Sequence, residues 1–513
     1  MRRAIALCIA VLVASLGNLP VGAATACSAP VHSGGEWPLY GGDLANSRTQ
    51  PEEAVISADE APHLAPAWTF SSKGSGGDGD FTGTPVVAGG CVFVGSNLGW
   101  LYAIDAATGA PAWKLHVGDG TINSSLAVAR NLVFAAVSHV GAPYVIAVDQ
   151  QTGVERWRTT IDTQEGSDAF ASPTVFGDVV IAGVSGDAAQ HDDQGVRDGF
   201  HGSYVLLDAD DGSLLKKGWT IPQVQWDGGY AGASVSATPA VDAGTATAYI
   251  GTTSSYSPQN EHPHANAILA VDLARDSESF GEILRAYKGD TLDHVIPGYS
   301  TMPCEDLPIP PPPPIIPTGR GVGACGDIDV DFASSPNLFT NAANELVVGA
   351  AQKSGRYHAA RAADMAPAWT TTWGPAQPFG GVSTAYDGMQ IIGGGAPPGY
   401  LYSLDARTGG VRWIAPVADG THYGIPVAVA NGVAYTVDVK GFLDAYDTAT
   451  GAPLLHRPML LGADTGTDPV LSFGGVSVAQ NTVFAAVGIQ STGIDFANVS
   501  NGYVVAFRPD PIL

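Results

Sequence analysis

The sequence has few charged residues, very few basic ones and little cysteine. Only 14% of its 513 residues are charged, and 23 Lys and Arg stand against 49 Asp and Glu, for a net charge of −26. Contact with nucleic-acid phosphates needs a basic face, so this balance argues against nucleic acid as a partner. No hydrophobic run in the sequence is long enough to predict a transmembrane segment.

Cysteine motifs for covalent haem or for zinc are also missing, because the sequence contains neither CxxCH nor paired CxxC. Nothing in the sequence therefore supports covalent attachment of haem, and we expect none. Beyond the N-terminal region four cysteines remain, and an even number in an exported protein favours disulfides. Cys304 and Cys325 bracket one irregular insert and are predicted to pair. A Cys27–Cys91 disulfide then follows by elimination, provided that Cys27 is not lipidated.

The N-terminus has the pattern of an export signal. Arg2 and Arg3 precede an apolar run, and small residues at 23–26 offer cleavage sites. We therefore expect residues 1–26 to be a signal peptide cleaved near Ala26, which makes the protein secreted or extracytoplasmic. A lipoprotein anchored at Cys27 is the alternative, although Ala24 stands where such signals usually have Leu.

A two-part repeat dominates the rest of the chain, which is rich in glycine (65) and proline (36). The stretch "LYAIDAATGAPAW" (101–113) returns as "VIAVDQQTGVERW" (145–157) and "LYSLDARTGGVRW" (401–413). Each copy follows a pair of short β-rich segments. These pairs occupy 81–96, 121–138, 169–186, 232–254, 331–355, 379–395, 422–441 and 471–488. The strands of the second part are predicted to end at Asp105, Asp149, Asp208, Asp272, Asp364, Asp405, Asp447 and Phe507.

Eight units of four short strands predict an all-β, eight-bladed β-propeller. In each unit the Asp forms a turn that Gly completes, and a Trp on the outermost strand covers the gap to the next blade. The last unit lacks its outer strand. The segment "HLAPAWTF" (63–70) precedes the first unit and indicates a strand that belongs to no unit. This N-terminal strand is predicted to close the ring beside residues 502–508. The Trp role is assigned to Trp113, Trp157, Trp219, Trp369 and Trp413, with Leu455 in that position in the seventh blade.

One insert interrupts the repeat between the fourth and fifth blades, at about residues 290–326. It contains "PIPPPPPIIP" (308–317), which predicts a stiff polyproline II segment. This segment is either a rigid cover over one face of the propeller or an exposed spacer. Residues 27–513 are otherwise expected to form a single propeller domain.

Alternating acids follow the insert in "GDIDVDF". In a strand, Asp327, Asp329 and Asp331 would share one face, where a cation such as Ca²⁺ would offset their repulsion. The alternative is a solvated acidic segment that leads into blade five. His262 and His264 are interpreted as ordinary surface histidines.

The eight repeats and the N-terminal "WPLYGGDLANSRT" (37–49) resemble the pyrroloquinoline quinone (PQQ) dehydrogenase superfamily. The stretches "GASVSATPAVD" (232–242), "CGDIDVDFASSPNLF" (325–339) and "LVVGAAQKSG" (346–355) look like the polyvinyl-alcohol dehydrogenase family. The resemblance implies PQQ in the central channel beside Ca²⁺. It also implies an Asp that takes the proton of the alcohol as hydride moves to the quinone.

The site positions that the resemblance implies depart in part from the family pattern. Ser236 stands where the family has the Trp that stacks on the quinone, and Ser254 stands where it has a Ca²⁺-binding Asn. The position of the base falls on Asn266, a Ca²⁺-binding acid falls near Asp187, and Lys353 matches the Lys that bonds the quinone oxygens. The adjacent cysteine pair of the family is missing. These departures predict that PQQ binds weakly or not at all.

Two functions therefore stay open. The first is a secreted quinoprotein alcohol dehydrogenase, acting on secondary or polymeric alcohols through an altered site. The second is a cofactor-free propeller that serves as a binding or assembly scaffold for a protein, glycan or polymer.

Overall fold

The structure, a computed structural model, is an eight-bladed propeller in which antiparallel strands surround a central axis. The residues that it describes are 27–30, 33–186, 189, 196–257, 261–290, 331–332, 334–372, 383–395, 399–418, 427–438, 440–460, 474–488 and 501–510. Short helical segments include α1 (Val196–Gly199) and 3-10 turns at Ala61–His63 and Gln223–Gly228.

The strands follow one another along the chain as meanders, so that neighbours in sequence are also neighbours in each sheet. The first two are β1 (Thr49–Gln50) and β2 (Leu64–Ser71). Blades one and two contain β3 (Val86–Ala88), β4 (Cys91–Gly95), β5 (Trp100–Asp105), β6 (Pro111–His116), β7 (Ala127–Ala129), β8 (Leu132–Val137), β9 (Tyr144–Asp149) and β10 (Glu155–Thr160). Blades three and four contain β11 (Thr174–Phe176), β12 (Val179–Val184), β13 (Ser203–Asp208), β14 (Leu214–Trp219), β15 (Ala240–Asp242), β16 (Thr247–Gly251), β17 (Ala267–Asp272) and β18 (Ile283–Lys288).

The second half of the ring repeats this plan. Blades five and six contain β19 (Asn337–Thr340), β20 (Leu346–Gln352), β21 (Arg356–Arg361), β22 (Pro367–Thr372), β23 (Ala385–Tyr386), β24 (Gln390–Gly395), β25 (Tyr400–Asp405) and β26 (Val411–Pro416). Blades seven and eight contain β27 (Ala428–Ala430), β28 (Val433–Val437), β29 (Phe442–Asp447), β30 (Pro453–Pro458), β31 (Val476–Ala479), β32 (Thr482–Val487) and β33 (Tyr503–Pro509).

The N-terminal strand closes the ring, as predicted. β2 pairs antiparallel with β33, from Leu64 opposite Pro509 to Ser71 opposite Tyr503, and so supplies the outer strand of blade eight. Strands from the N-terminal and C-terminal parts of the chain therefore share one sheet, which closes the ring.

Tryptophan side chains join successive blades through the turns that follow the third strands. The indole Nε1 of Trp113 donates to the carbonyl of Gln150 at 2.8 Å, and its ring lies so close to Gly153 that a Cβ there would be 2.7 Å from it. Gly153 also has a φ of +69°, so both space and conformation call for glycine. The same contact recurs for the pairs Trp68–Gly109, Trp157–Gly212, Trp369–Gly409 and Trp413–Gly451.

Two assignments from the sequence were wrong. Lys216, not Trp219, occupies the Trp position of blade three, where it is opposite Leu206 and lies against Gly281. Trp219 comes three residues later in the same strand, beyond the position that contacts the next blade. The third strand of blade five ends at Arg361, and Asp364 lies in the following turn, ion-paired to Arg361 at 2.6 Å. Leu455 takes the Trp position of blade seven as predicted, opposite Ala445.

An N-terminal belt, residues 33–50, runs inside the ring along its innermost strands. Its carbonyl groups accept hydrogen bonds from the inner strands of successive blades. These bonds are Gln480 to Gly34, Val87 to Trp37, Val128 to Pro38, Val241 to Leu44, Leu338 to Ala45, Tyr386 to Ser47 and Val429 to Arg48. Because the belt also meets the turns at Gly89 and Asn481, it lies toward the end of the channel where the first strands turn into the second.

The side chain of Arg48 holds the belt in place through hydrogen bonds. It is fully buried, and its guanidinium donates to the carbonyls of Val427, Tyr40 and Val476 at 2.6 to 3.0 Å. The guanidinium also lies over the rings of Tyr40 and Trp37. Burial lowers the pKa of Arg48 from its usual value, the expected cost of placing a cation away from water. We call the opposite end of the channel, where the second strand of a blade leads into the third, the loop end.

The Cys27–Cys91 disulfide is confirmed, and it ties the start of the described chain to β4. Cys304, Cys325, the signal segment and the proline-rich insert lie outside the described residues. No helix within the described ranges is long and apolar enough to cross a membrane.

Candidate functional site

A buried ion pair lies at the loop end, between blades four and five. The Nζ of Lys353 is 3.1 Å from the Oδ1 of Asp331, and the side chains are only 12% and 2% exposed. The backbone amide of Lys353 also donates to the carbonyl of Asp331 at 3.1 Å. The backbone contact thus brings together the two segments that carry the charged groups.

Ser254 completes this cluster from blade four. Its hydroxyl donates to Oδ2 of Asp331 at 3.1 Å, so both carboxylate oxygens of Asp331 have a partner. Gly251 ends the preceding strand, and a Cβ there would lie 2.7 Å from the carbonyl oxygen of Phe332. Glycine thus allows the segment that carries Asp331 to pass close to blade four. We call Ser254, Asp331 and Lys353 the Asp331 cluster.

Asn266 belongs to a neighbouring network. Its side-chain amide donates to the carbonyl of Asp290, and its Oδ1 accepts from Nε2 of Gln352 at 2.8 Å. The Oε1 of Gln352 is in turn 2.9 Å from Nε2 of His358, whose Nδ1 is 2.9 Å from the hydroxyl of Tyr287. Asn266 is fully buried, so its amide acts here as a bridge between polar groups.

Charges in this network are balanced. Burial opposes the charge of Asp290, but hydrogen bonding and charge from His358, with the charge of Arg356, hold its pKa below its usual value. The Nη1 of Arg356 is 2.9 Å from Oδ1 of Asp290. The network therefore keeps a charged carboxylate beside the Asp331 cluster without a net negative charge.

The structure brings together three of the predicted site residues and places the others as follows. Ser236 is half-buried on the connection that leads into blade four, two residues after Ser234, whose carbonyl accepts from the amide of Thr253. The segment of Ser236 therefore runs beside that of Ser254. Asp187, Asp327 and Asp329 lie outside the described residues.

The loop of blade four that begins at Ser254 also borders a cavity of about 490 Å³. His262 is 4% exposed, so its interpretation as a surface histidine was wrong: its Nε2 is 2.6 Å from Oε1 of Gln225. Burial, and then the charges of His264 and Lys288, lower the pKa of His262 to about 4. Burial also lowers the pKa of His264, so both imidazoles are neutral at pH 7. The cavity is lined by Pro222, Val224, Gln225, Gly228, Tyr230, His262, Pro263 and His264.

Sequence reasoning missed Asp290, Gln352 and His358. Gln352 directly precedes the matched Lys353, and strand alternation puts the two side chains on opposite faces, which is the only signal that could have indicated a second polar group. His358 lies inside a strand with no motif around it, and Asp290 stands at the edge of the insert.

The fold and this site define a class of protein, the PQQ-dependent alcohol dehydrogenase-like propellers. The chain belongs to the PQQ_2 family, whose family model is described as outer membrane protein assembly factor BamB and matches residues 52–295 and 397–498.

Relatives within this class cover most of the chain. It is 26% identical to the polyvinylalcohol dehydrogenase of a Pseudomonas sp, over 82% of this chain and 67% of that protein. It is 25% identical to the polyvinylalcohol dehydrogenase of a Sphingopyxis sp., over 97% of this chain and 80% of that protein. Among solved structures, the quinohemoprotein alcohol dehydrogenase of Comamonas testosteroni has a TM-score of 0.66 at 17% identity, over 92% of this chain and 80% of that one. That structural likeness establishes the fold.

Proposed function

We propose that the protein is an exported, PQQ-dependent alcohol dehydrogenase that oxidises secondary or polymeric alcohols. The observation that carries the proposal is the Asp331 cluster, a buried carboxylate with an ammonium group and a hydroxyl on its two oxygens. The extent of the match to two polyvinylalcohol dehydrogenases supports the substrate class. The Cys27–Cys91 disulfide supports export, because disulfides persist in oxidising compartments.

The residues present fit the polar half of the cofactor. PQQ carries carboxylates and quinone oxygens, so it needs a cation and hydrogen-bond donors, and Ca²⁺ needs oxygen ligands. Lys353 offers an ammonium group to the quinone, and Asp331 and Ser254 offer oxygens to Ca²⁺. The planar ring system of PQQ has fewer contacts available, because Ser236 offers no ring on which it could stack. We therefore expect Ca²⁺-dependent binding that is weaker than a Trp at this position would allow.

Asp331 is the group in this cluster that can accept the proton of the alcohol. PQQ, when bound, supplies the chemistry of accepting a hydride equivalent from the alcohol carbon. A general base must be a charged or neutral acceptor within reach of that proton, and the amide of Asn266 cannot act as one near neutral pH. Both oxygens of Asp331 have partners, so an alcohol would reach the carboxylate by displacing the hydroxyl of Ser254 from Oδ2, in a place from which water is largely excluded.

The cavity beside His262 suits a hydroxylated chain. Its proline and valine side chains provide apolar contact for methylene groups, and the side chains of His264 and Gln225 can exchange hydrogen bonds with hydroxyls. Its histidines stand between β16 and β17 of blade four, as Ser254 does.

A cofactor-free scaffold is the second candidate. Asn266 supports it, because its amide is committed on both sides to Asp290 and Gln352 and is not available to a substrate. Ser236 supports it as well, since a propeller that held no quinone would have no use for a stacking ring.

Dye-linked oxidation tests the proposal. Purified protein is incubated with PQQ and Ca²⁺ and assayed on a short secondary alcohol and on polyvinyl alcohol. We expect turnover that requires both additions, and its loss in Lys353→Met, which keeps the length of the side chain. Turnover that is absent in the wild type, while the protein is folded, would favour the scaffold.

A further inference from the structure

A second cluster of potential ligands lies in blade seven, away from the Asp331 cluster. Asp438, Asp444 and His456 each place one ligand atom within 4.8 Å of the others. Pairing of the strands explains why they meet. Asp444 on β29 is directly opposite His456 on β30, and the amide of Asp438 donates to the carbonyl of Phe442 at 3.0 Å. Since side chains alternate along a strand, all three lie on one face.

This face is directed toward blade six. Ala434 and Tyr446 share it by strand alternation and pack against Ile392, Trp413 and Val417 of blade six. Asp438 and Asp444 are accordingly buried, at 0% and 1% exposure. The side chain of His456 is 37% exposed, so the cluster is open to solvent at one point.

The side chains are already held in place. The Oδ1 of Asp438 accepts from the backbone amides of Lys440 and Phe442, both at 2.9 Å. The Nδ1 of His456 is 2.7 Å from Oδ1 of Asp444, and its ring stacks on Phe442 at 4.2 Å and 4°. Ligands whose orientation is fixed in advance lose little conformational freedom on binding an ion.

Thr436 is an independent indication of a ligand. It is fully buried and directly opposite Asp444 on β28, so its side chain lies on the same face as the cluster. Within the part of the chain that the structure describes, its Oγ1 makes no hydrogen bond. A buried hydroxyl in this state is uncommon, and an ion or its bound water beside Asp444 would give it a partner.

We propose that Asp438, Asp444 and His456 bind a divalent cation of the Zn²⁺ class, with Thr436 facing the ion or its water. Ligands about 2.0 to 2.2 Å from a tetrahedral Zn²⁺ lie about 3.3 to 3.6 Å apart, so atoms that lie within 4.8 Å of one another would draw together when the ion binds. Two carboxylates and an imidazole suit Zn²⁺ better than Ca²⁺, which takes six to eight oxygens. The ion would join three successive strands of blade seven, independently of the proposed alcohol oxidation.

Calorimetric titration with ZnCl₂, without PQQ and after removal of metals with EDTA, tests this site. We expect one site per chain in the wild type and an affinity lower by at least about 10- to 100-fold in both His456→Gln and Asp444→Asn, since even loss of a group that only orients a ligand costs that much. The control is His139→Gln, which removes an exposed histidine and should bind as the wild type does. Absence of binding in the wild type would overturn the proposal, as would wild-type affinity in His456→Gln.

Thermal unfolding keeps the test decisive if Asp444→Asn does not fold. His456 is partly exposed, so its replacement should leave the fold intact. Zn²⁺ should raise the melting temperature of the wild type and of His139→Gln, but not that of His456→Gln. A rise of equal size in all three would contradict the site, and so would a larger rise with Ca²⁺ than with Zn²⁺ that His456→Gln abolishes.

Discussion

The boundary between blades one and two and the boundary between blades four and five have different side chains at the positions where the blades meet. At the first, Trp113 covers Gly153 and donates to Gln150. At the second, Arg285 occupies the Trp position, opposite Ala270, and Met365 occupies the Gly position with a φ of +59°.

A tyrosine replaces the missing tryptophan contact at the second boundary. Tyr249 donates its hydroxyl to the carbonyl of Ala362 at 3.4 Å, the turn carbonyl that corresponds to the one reached by Trp elsewhere. The bond is longer than the 2.8 Å bond of Trp113. The boundary is thus joined less tightly at its turn end, while its loop end carries the Asp331 cluster. The boundaries that follow blades three and seven also lack the Trp contact. We infer that the Trp boundaries keep the ring closed and that the boundary between blades four and five carries the proposed chemistry.

Replacement of Asp331 should give the largest effect on activity. In PQQ-loaded protein, Asp331→Asn keeps the shape of the side chain but removes the proton acceptor, so we expect turnover to fall by about 10³-fold. The measurement is dye-linked alcohol oxidation under saturating PQQ and Ca²⁺. Asp364→Asn, at an exposed turn of blade five, is the control and should keep its activity. Activity of Asp331→Asn close to that of the wild type would remove Asp331 from the reaction.

Loss of the Trp at one of the Trp boundaries should give the largest effect on stability. Trp113→Ala removes both the ring over Gly153 and the hydrogen bond to Gln150, so we expect the free energy of unfolding to fall by about 3 kcal/mol. At the boundary between blades three and four, Lys216→Ala removes a side chain that reaches solvent and an exposed ion pair with Glu282, and should cost less than about 1 kcal/mol.

Urea unfolding of both variants checks this difference. Equal losses would mean that the two kinds of boundary do not differ in their contribution to stability, and the contrast drawn between them would fail.

Asp80 is another buried carboxylate, and its surroundings can be compared with those of Asp331. Unlike Asp331, it forms no ion pair within the described residues, and burial raises its pKa to about 7. The folded state therefore holds a proton that the unfolded state releases near pH 4, so stability should fall as the pH rises from about 4 to 7. Asp80→Asn should remove this loss, which at pH 8 is about 4 kcal/mol for a pKa raised from 3.8 to about 7.

Urea unfolding at pH 5, 7 and 8 measures the effect of Asp80→Asn. Asp119→Asn, at an exposed position, serves as the control and should follow the wild type. If Asp80→Asn and the wild type have the same pH dependence, Asp80 is not the group responsible.

The fold was largely predictable from the sequence because each blade repeats the same spacing. The two wrong assignments also follow from that spacing. Asp105 and Trp113 are eight residues apart, and eight residues from Asp208 lead to Lys216, while eight residues back from Trp369 lead to Arg361. Counting residues, instead of looking for the letters Asp and Trp, would have placed both correctly.

The site was predictable only in part. Motifs indicated Ser254, Asp331 and Lys353 separately, but 77 residues and the insert separate Ser254 from Asp331, so no local pattern could show that they touch. Burial of His262 depends on Gln225 in another loop, which its own surroundings in the sequence do not reveal. Asp444 and His456 meet through strand register, which is a property of the folded sheet.

Calorimetric titration of the purified protein with PQQ, with and without Ca²⁺, tests the central claim most directly. If the Asp331 cluster is a quinone site, the wild type should bind one PQQ per chain only when Ca²⁺ is present. Lys353→Ala should weaken this binding by about 10-fold or more, as expected for loss of a charged hydrogen bond, and Ser236→Trp should tighten it through stacking. An absence of binding with Ca²⁺, or an affinity that Lys353→Ala leaves unchanged, would contradict the account.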